Sequence, residues 1–201
     1  MKLSTRELAI LAVFGALWGL VEISLGSVLK TLNIPMSGAV LAAIGLAVAL
    51  IGRAFVPQRG STLFIGAIAM LLKLFSLGGA VLGPMVGILT EALVAEIVLS
   101  MGGQPRRMSF ILAGAFGVAW VLLQPFVTGP LLFGRTVLVV WLDLLDRGGR
   151  LLGLQPTAAI WIVLALLVIH LAVGGLAGWM GWDIAKMLQS RLGRMTTDVI
   201  Q

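Results

Sequence analysis

Apolar residues in this chain fall into long unbroken runs, neither the alternation of a half-buried strand nor the narrow stripe of a soluble surface helix. Six runs stand out: Thr5 to Leu25, Ser37 to Phe55, Ser61 to Leu77, Leu82 to Leu99, Met108 to about Val127, and Thr157 to about Trp182. Their lengths lie near the roughly 20 residues that cross a hydrocarbon core as a helix. The gaps between them carry stop signals. Lys30, Asn33 and Pro35 follow the first run, Pro57 to Gly60 the second, Gly78 and Gly79 the third, and GGQPRR the fourth, while Pro125 and Pro130 mark the end of the fifth. Upstream, Ser4 and Glu7 have capping-box spacing, with Leu3 and Leu8 in hydrophobic-staple positions. The first helix is therefore expected to start at the membrane surface and to stay in the mature protein rather than act as a cleaved signal.

One stretch breaks the pattern. Leu131 to Leu154, LLFGRTVLVVWLDLLDRGGRLLGL, mixes an apolar run with Arg135, Asp143, Asp146, Arg147 and Arg150. Such a segment suits an interfacial or re-entrant helix lying over the bundle as a lid. A seventh span would place the termini on opposite sides and spoil the charge asymmetry described next.

Composition agrees with a membrane protein: 60% of the residues are hydrophobic and 11% charged, with a mean hydropathy of +1.11, too little charge to cover a soluble surface. A formal charge of +6 is explained by basic loops against anionic lipid and cytoplasm, with no call for nucleic acid. With the amino terminus in the cytoplasm, Lys2, Arg6, Arg53, Arg59, Arg106, Arg107, Lys186, Arg191 and Arg194 fall on that side. Only Lys30, Arg135, Arg147 and Arg150 fall opposite, so both termini are expected inside. The expected fold is an all-α integral membrane protein forming a single domain over residues 1–201. It comprises a six-transmembrane-helix core at 5–182, an external interfacial segment at 128–155 between helices five and six, and a cytoplasmic tail at 183–201. There is no cysteine and one histidine, which leaves no disulfide, no thiol centre and no His-rich metal cluster; no cofactor or metal is expected.

Polar residues inside apolar runs are the candidates for chemistry, because an isolated charge in hydrocarbon is costly and must face protein, water or a ligand. Glu91 and Glu96 lie in the fourth run, about 140° apart around a helix, so one face cannot present both equally. Glu91 is the first candidate for an internal polar site; Glu96 is placed nearer the basic cytoplasmic rim. Glu22, Lys73, Gln124 and the tryptophans Trp18, Trp120 and Trp161 fall in the outer half of their runs. Together with Glu91 they are expected to converge on one external substrate cavity, with Glu91 and then Glu22 leading. The competing account makes the tryptophans interface anchors and Lys73 a snorkelling or neutralising partner. His170 shares a face with Gly174 and Gly178, so a packing role is the first reading and ligand contact an open one.

The six-span layout, Ala12-x-x-x-Ala16 in the first helix and the stretch GPMVGILTEALVAEI resemble the substrate-binding S component of energy-coupling-factor (ECF-type) vitamin transporters, over most of Leu3 to Met187. The resemblance implies high-affinity capture, from outside, of a small water-soluble vitamin, vitamin precursor or related micronutrient at a prokaryotic cytoplasmic membrane. It further implies that Ala12 and Ala16 dock onto a separate transmembrane coupling subunit that carries two cytoplasmic ATPase subunits. The gating loops would be Gly26 to Pro35, Leu77 to Leu82 and the long segment Thr128 to Gln155. No phosphate-binding GxxxxGK[ST] loop occurs, so ATP is expected to be hydrolysed elsewhere. A self-contained small transporter or channel is the alternative, and a membrane-embedded enzyme a lesser one, since Ser24, Ser27, Thr90 and His170 form no recognisable triad.

Overall fold

The structure, a computed structural model, describes residues 3–76, 82–102 and 105–198, side chains excepted at 30 and 194–198. Seven α-helices form an all-α bundle: α1 Thr5–Thr31, α2 Ser37–Phe55, α3 Ser61–Leu72, α4 Leu82–Met101, α5 Arg107–Phe133, α6 Val137–Leu152 and α7 Ala159–Asp198. Five of them, α1, α2, α4, α5 and α7, are long and apolar enough to cross a membrane. α3 is shorter and closes in a 3-10 turn, Lys73–Phe75.

Side-chain pairings give the helix directions. Trp18 meets Gly45 and Phe14 meets Gly52, so α1 and α2 are antiparallel; Gly15 meets Ile68 and Gly19 meets Leu72, so α1 and α3 run together. On α5 and α7, Gly114 faces Gly174 while Phe110 faces Gly178, again antiparallel. This last seam is backbone against backbone: a Cβ on Gly114 would stand 2.2 Å from the Gly174 carbonyl oxygen. The small residues are what let the two longest apolar helices lie this close, where dispersion and close packing rather than a hydrophobic drive hold helices in lipid. α6 packs on α5 and α7 and on the short turn between α6 and α7, not on the other helices. Val140, Leu145, Gly148 and Gly149 form its buried face.

The predicted boundaries need four corrections. α1 continues from Leu25 to Thr31, because Ser24, Ser27 and Thr31 return their hydroxyls to carbonyls four residues back at 2.6, 2.7 and 2.9 Å and so cost the helix little. α5 does not end at its prolines but runs through Pro125 and Pro130 to Phe133, closed by Gly134 at φ 60 and an Arg135 N–H to Gly129 carbonyl bond of 3.1 Å. Each proline removes one helical donor, and packing of α5 against its neighbours outweighs that loss. α3 stops at Leu72 rather than Leu77. The expected tail from Asp183 is the continuation of α7 as far as Asp198. The α3–α4 glycine pair and the gating residues 77–81 lie outside the described residues, as do the two ends of the chain.

Glu96 knits the other end of the bundle. Its carboxylate accepts the Gly60 N–H at 2.7 Å, the Thr62 N–H at 3.0 Å and the Ser100 hydroxyl at 2.9 Å, with the Arg53 guanidinium 3.6 Å away. An anion among the unpaired N–H groups at the start of α3 satisfies donors that the helix itself leaves free. Arg53 is its one basic partner among the described residues, and the three donors explain why an acceptor is needed there.

Candidate functional site

The expected polar residues form two groups at the seams around α4. Lys73, at the end of α3, donates to the Glu22 carboxylate at 3.1 Å and to the Glu22 carbonyl at 2.8 Å, with both side chains buried. Trp18 lies one turn below Glu22, fully buried, its ring filling the notch over Gly45 and its indole N–H without an acceptor among the described residues. Glu91 is buried on α4 within the field of Glu22 and has no hydrogen-bond partner among the described residues. Lys73 thus serves Glu22, and no contact joins it to Glu91 among the described residues. On the α4–α5 seam Trp120 donates to the Thr90 hydroxyl at 2.7 Å, and the Gln124 amide donates to the Gly83 carbonyl at 2.9 Å. Trp161 stands apart, 67% exposed on α7.

The described residues also form a cavity, whose lining includes none of these seven side chains. That cavity has a volume of about 960 Å³ and lies under α6. Its walls are the α1–α2 connection from Asn33 to Ser37, Val121, Leu122, Pro125 and Phe126 of α5, Leu166 and His170 of α7, and one face of α6. The volume falls within the range of small-molecule sites, and the lining follows their usual plan of an apolar wall with a few polar groups. All the lining lies toward one end of the bundle. The other end is filled by the packed core around Leu11, Leu46, Leu50 and Phe110, each 0% exposed.

α6 brings the charge. Asp143, Arg147 and Arg150 recur at the spacing of one helical face and line the cavity with Arg135. Arg135 is hydrogen-bonded to Asp143, and Arg150 pairs with Asp146 at 2.7 Å. The Arg135 hydrogen bond, helped by the charges of Arg135 and Arg147, holds the Asp143 carboxyl below its ordinary range. Thr136 starts the helix by accepting the Val139 N–H, and Gly153 at φ 68 ends it. The i, i+4, i+7 charge face was present in the sequence. What it could not show was that this partly exposed face borders a cavity.

His170, first read as packing, is 5% exposed and belongs to the cavity wall. Its Nδ1 lies 2.7 Å from the Leu166 carbonyl, which can only accept, so Nδ1 carries the proton and Nε2 of the neutral ring offers a lone pair. Pro125, also on the wall, cannot supply the helical N–H to the Val121 carbonyl, one turn earlier and likewise on the wall. The small-residue motifs separate cleanly. Gly15 and Gly19 are consumed inside the bundle, whereas Ala12 is exposed and Ala16 half-buried, beside Val13, Leu17 and Leu20 at 58%, 45% and 60% exposure.

No protein-family model matches this chain, and no curated protein or solved structure is significantly similar to it. Fold and composition by themselves define a multi-span helical membrane protein of a kind consistent with transport.

Proposed function

We propose that this protein is the substrate-capturing membrane subunit of an ATP-driven importer, binding a small water-soluble micronutrient in the cavity under α6 and handing its transport to separate coupling and ATPase subunits. The observation that carries this reading is the one-ended cavity: a small-molecule volume enters from one end of the bundle and meets a filled core below it. A channel needs a continuous polar path and an autonomous carrier a site reachable from both sides. In this reading six helices span or penetrate the membrane with both termini in the cytoplasm, α6 is the external lid, and the bare Ala12 and Ala16 face meets the coupling subunit. Lys73 with Glu22 then ties the end of α3 to α1, in place of the direct substrate contacts first expected of them.

Purified protein, denatured and extracted, should release a retained small molecule identifiable by mass spectrometry. Proteoliposomes holding the chain alone should bind that compound without accumulating it. Accumulation or ion conductance by the chain alone would overturn the reading in favour of a self-contained transporter or channel.

A further inference from the structure

Resting on the capture reading, the charges under α6 narrow the chemistry of what is captured. Four charged side chains line the cavity, Arg135, Asp143, Arg147 and Arg150. Arg135 is matched by Asp143, and Arg150 by Asp146. Arg147 adds to the field at Asp143 but makes no hydrogen bond or short ion pair among the described residues, so three guanidiniums line the cavity against one carboxylate and one of them has no bonded partner. His170 belongs to the same lining, and its Nδ1 bond to the Leu166 carbonyl leaves Nε2 of the neutral ring as an acceptor. Val121, Phe126 and Leu166 add apolar surface to that lining. A guanidinium, a ring-nitrogen acceptor and apolar surface in one cavity are complementary to an amphipathic acid that also carries a donor.

We propose that the cavity binds a small organic acid, its carboxylate or phosphate held by Arg147 and a hydrogen-bond donor met by His170 Nε2. A guanidinium binds oxyanions through paired N–H donors in a planar fork, which an ammonium does not reproduce. A buried acceptor such as Nε2 selects for a donor, because an analogue that lacks one leaves the ring nitrogen unpaired. A cationic compound would face Arg147 with no free carboxylate on the wall to answer it. The same anionic chemistry is presented by lipid headgroups, and the test separates the two sources.

The protein is placed in nanodiscs of phosphatidylcholine alone, which removes anionic lipid. Equilibrium dialysis with mass-spectrometric detection then measures five probes: 4-hydroxybenzoate, indole-3-acetate, the neutral amide of each, and benzoate, all small enough for the cavity, beside whatever compound the extraction has released. At least one acid should bind about tenfold tighter than its amide, in line with one charge-assisted contact, and Arg147→Gln should erase that preference while Arg147→Lys restores part of it. His170→Phe should weaken the hydroxyl- or indole-bearing acid more than benzoate, which carries no donor. Repeating the measurement with one-fifth phosphatidylglycerol identifies the source: displacement of the acid assigns the anion site to lipid and overturns capture, and no displacement leaves the soluble acid as occupant. Acids that bind no better than their amides, or an extracted neutral or cationic compound whose binding ignores Arg147→Gln, would overturn the organic-acid proposal and leave the capture reading standing. Acid binding without uptake in cells that carry the energising subunits would do the reverse.

Discussion

At the residue scale, the buried charges of this bundle are tied by partners rather than by solvent, and their removal has unequal consequences. Glu96 serves three donors and one cation at once. Glu96→Ala leaves the Gly60 and Thr62 N–H groups and the 3% exposed Arg53 without an acceptor, and is expected to cost about 3–5 kcal/mol. Glu96→Gln keeps acceptor capacity and should cost about half as much. Denaturant unfolding in mild detergent, followed by circular dichroism, measures both. The Glu22 and Lys73 pair behaves differently, because each charge is tolerable only beside the other. Lys73→Met alone should destabilise strongly, since it leaves the buried Glu22 carboxylate without its cation, and adding Glu22→Gln should recover most of the loss. A double substitution no better than Lys73→Met alone would show that the pair is not the reason these residues are charged. Reading the sequence singled out Glu22, Lys73, Glu91 and Glu96 because hydrocarbon makes every ionisable residue conspicuous. It could not give their partners, because depth along a helix says nothing about which neighbour a side chain meets: Trp120 and Gln124 bond to Thr90 and Gly83.

At the element scale, run length and stop signals located the helices, while the terminations were decided by contacts. α5 survives two prolines and α1 absorbs a serine and threonine ladder, neither of which periodicity reveals. α6 was legible as the odd segment because charge interrupts its apolar run, and only the fold brings its charge face to the edge of a cavity. The Arg135 and Asp143 bond joins the start of that helix to its middle. Its pH dependence follows from the lowered Asp143 carboxyl. A carboxyl stabilised as the anion in the folded state contributes above its ordinary value near about 3.9 and loses that contribution as pH falls through the lowered one. α6 should therefore stay equally ordered from about pH 8 to about pH 5 and loosen only below about pH 4. A spin label at Leu138→Cys, 64% exposed on α6, reports that mobility. Asp143→Asn should give the acid-state spectrum at neutral pH, and a wild-type spectrum in that variant would remove the ion pair from the account.

At the scale of the whole molecule, α1 with α2 and α5 with α7 pair antiparallel while α1 and α3 run together, and α6 packs on α5, α7 and the turn between α6 and α7, an arrangement with a capped end and a filled end. Orientation in the membrane then separates two basic groups. Arg107 belongs to the filled end, paired with Asp183 at 3.0 Å, and Arg147 to the cavity end. An impermeant thiol reagent added to intact cells should modify Arg147→Cys and spare Arg107→Cys; the opposite pattern would invert the molecule. The outer face of α1 supplies the corresponding prediction for assembly. Ala12 and Ala16 lie one turn apart on a side that the fold leaves bare, whereas Gly15 and Gly19 on the adjoining side press against Ile68 and Leu72. Added bulk therefore has different meanings at neighbouring positions. Gly15→Leu drives a side chain into Ile68, where even a Cβ would stand 2.7 Å away, and should destabilise the bundle itself by about 1–3 kcal/mol or more. Ala12→Leu and Ala16→Leu meet no such obstacle and should leave unfolding and cavity binding near wild type. If that face docks onto a coupling helix, both should nonetheless abolish co-purification with the energising subunits and reduce uptake, because added volume prevents close helix approach. Wild-type assembly and uptake in both alanine variants would assign this face to lipid alone.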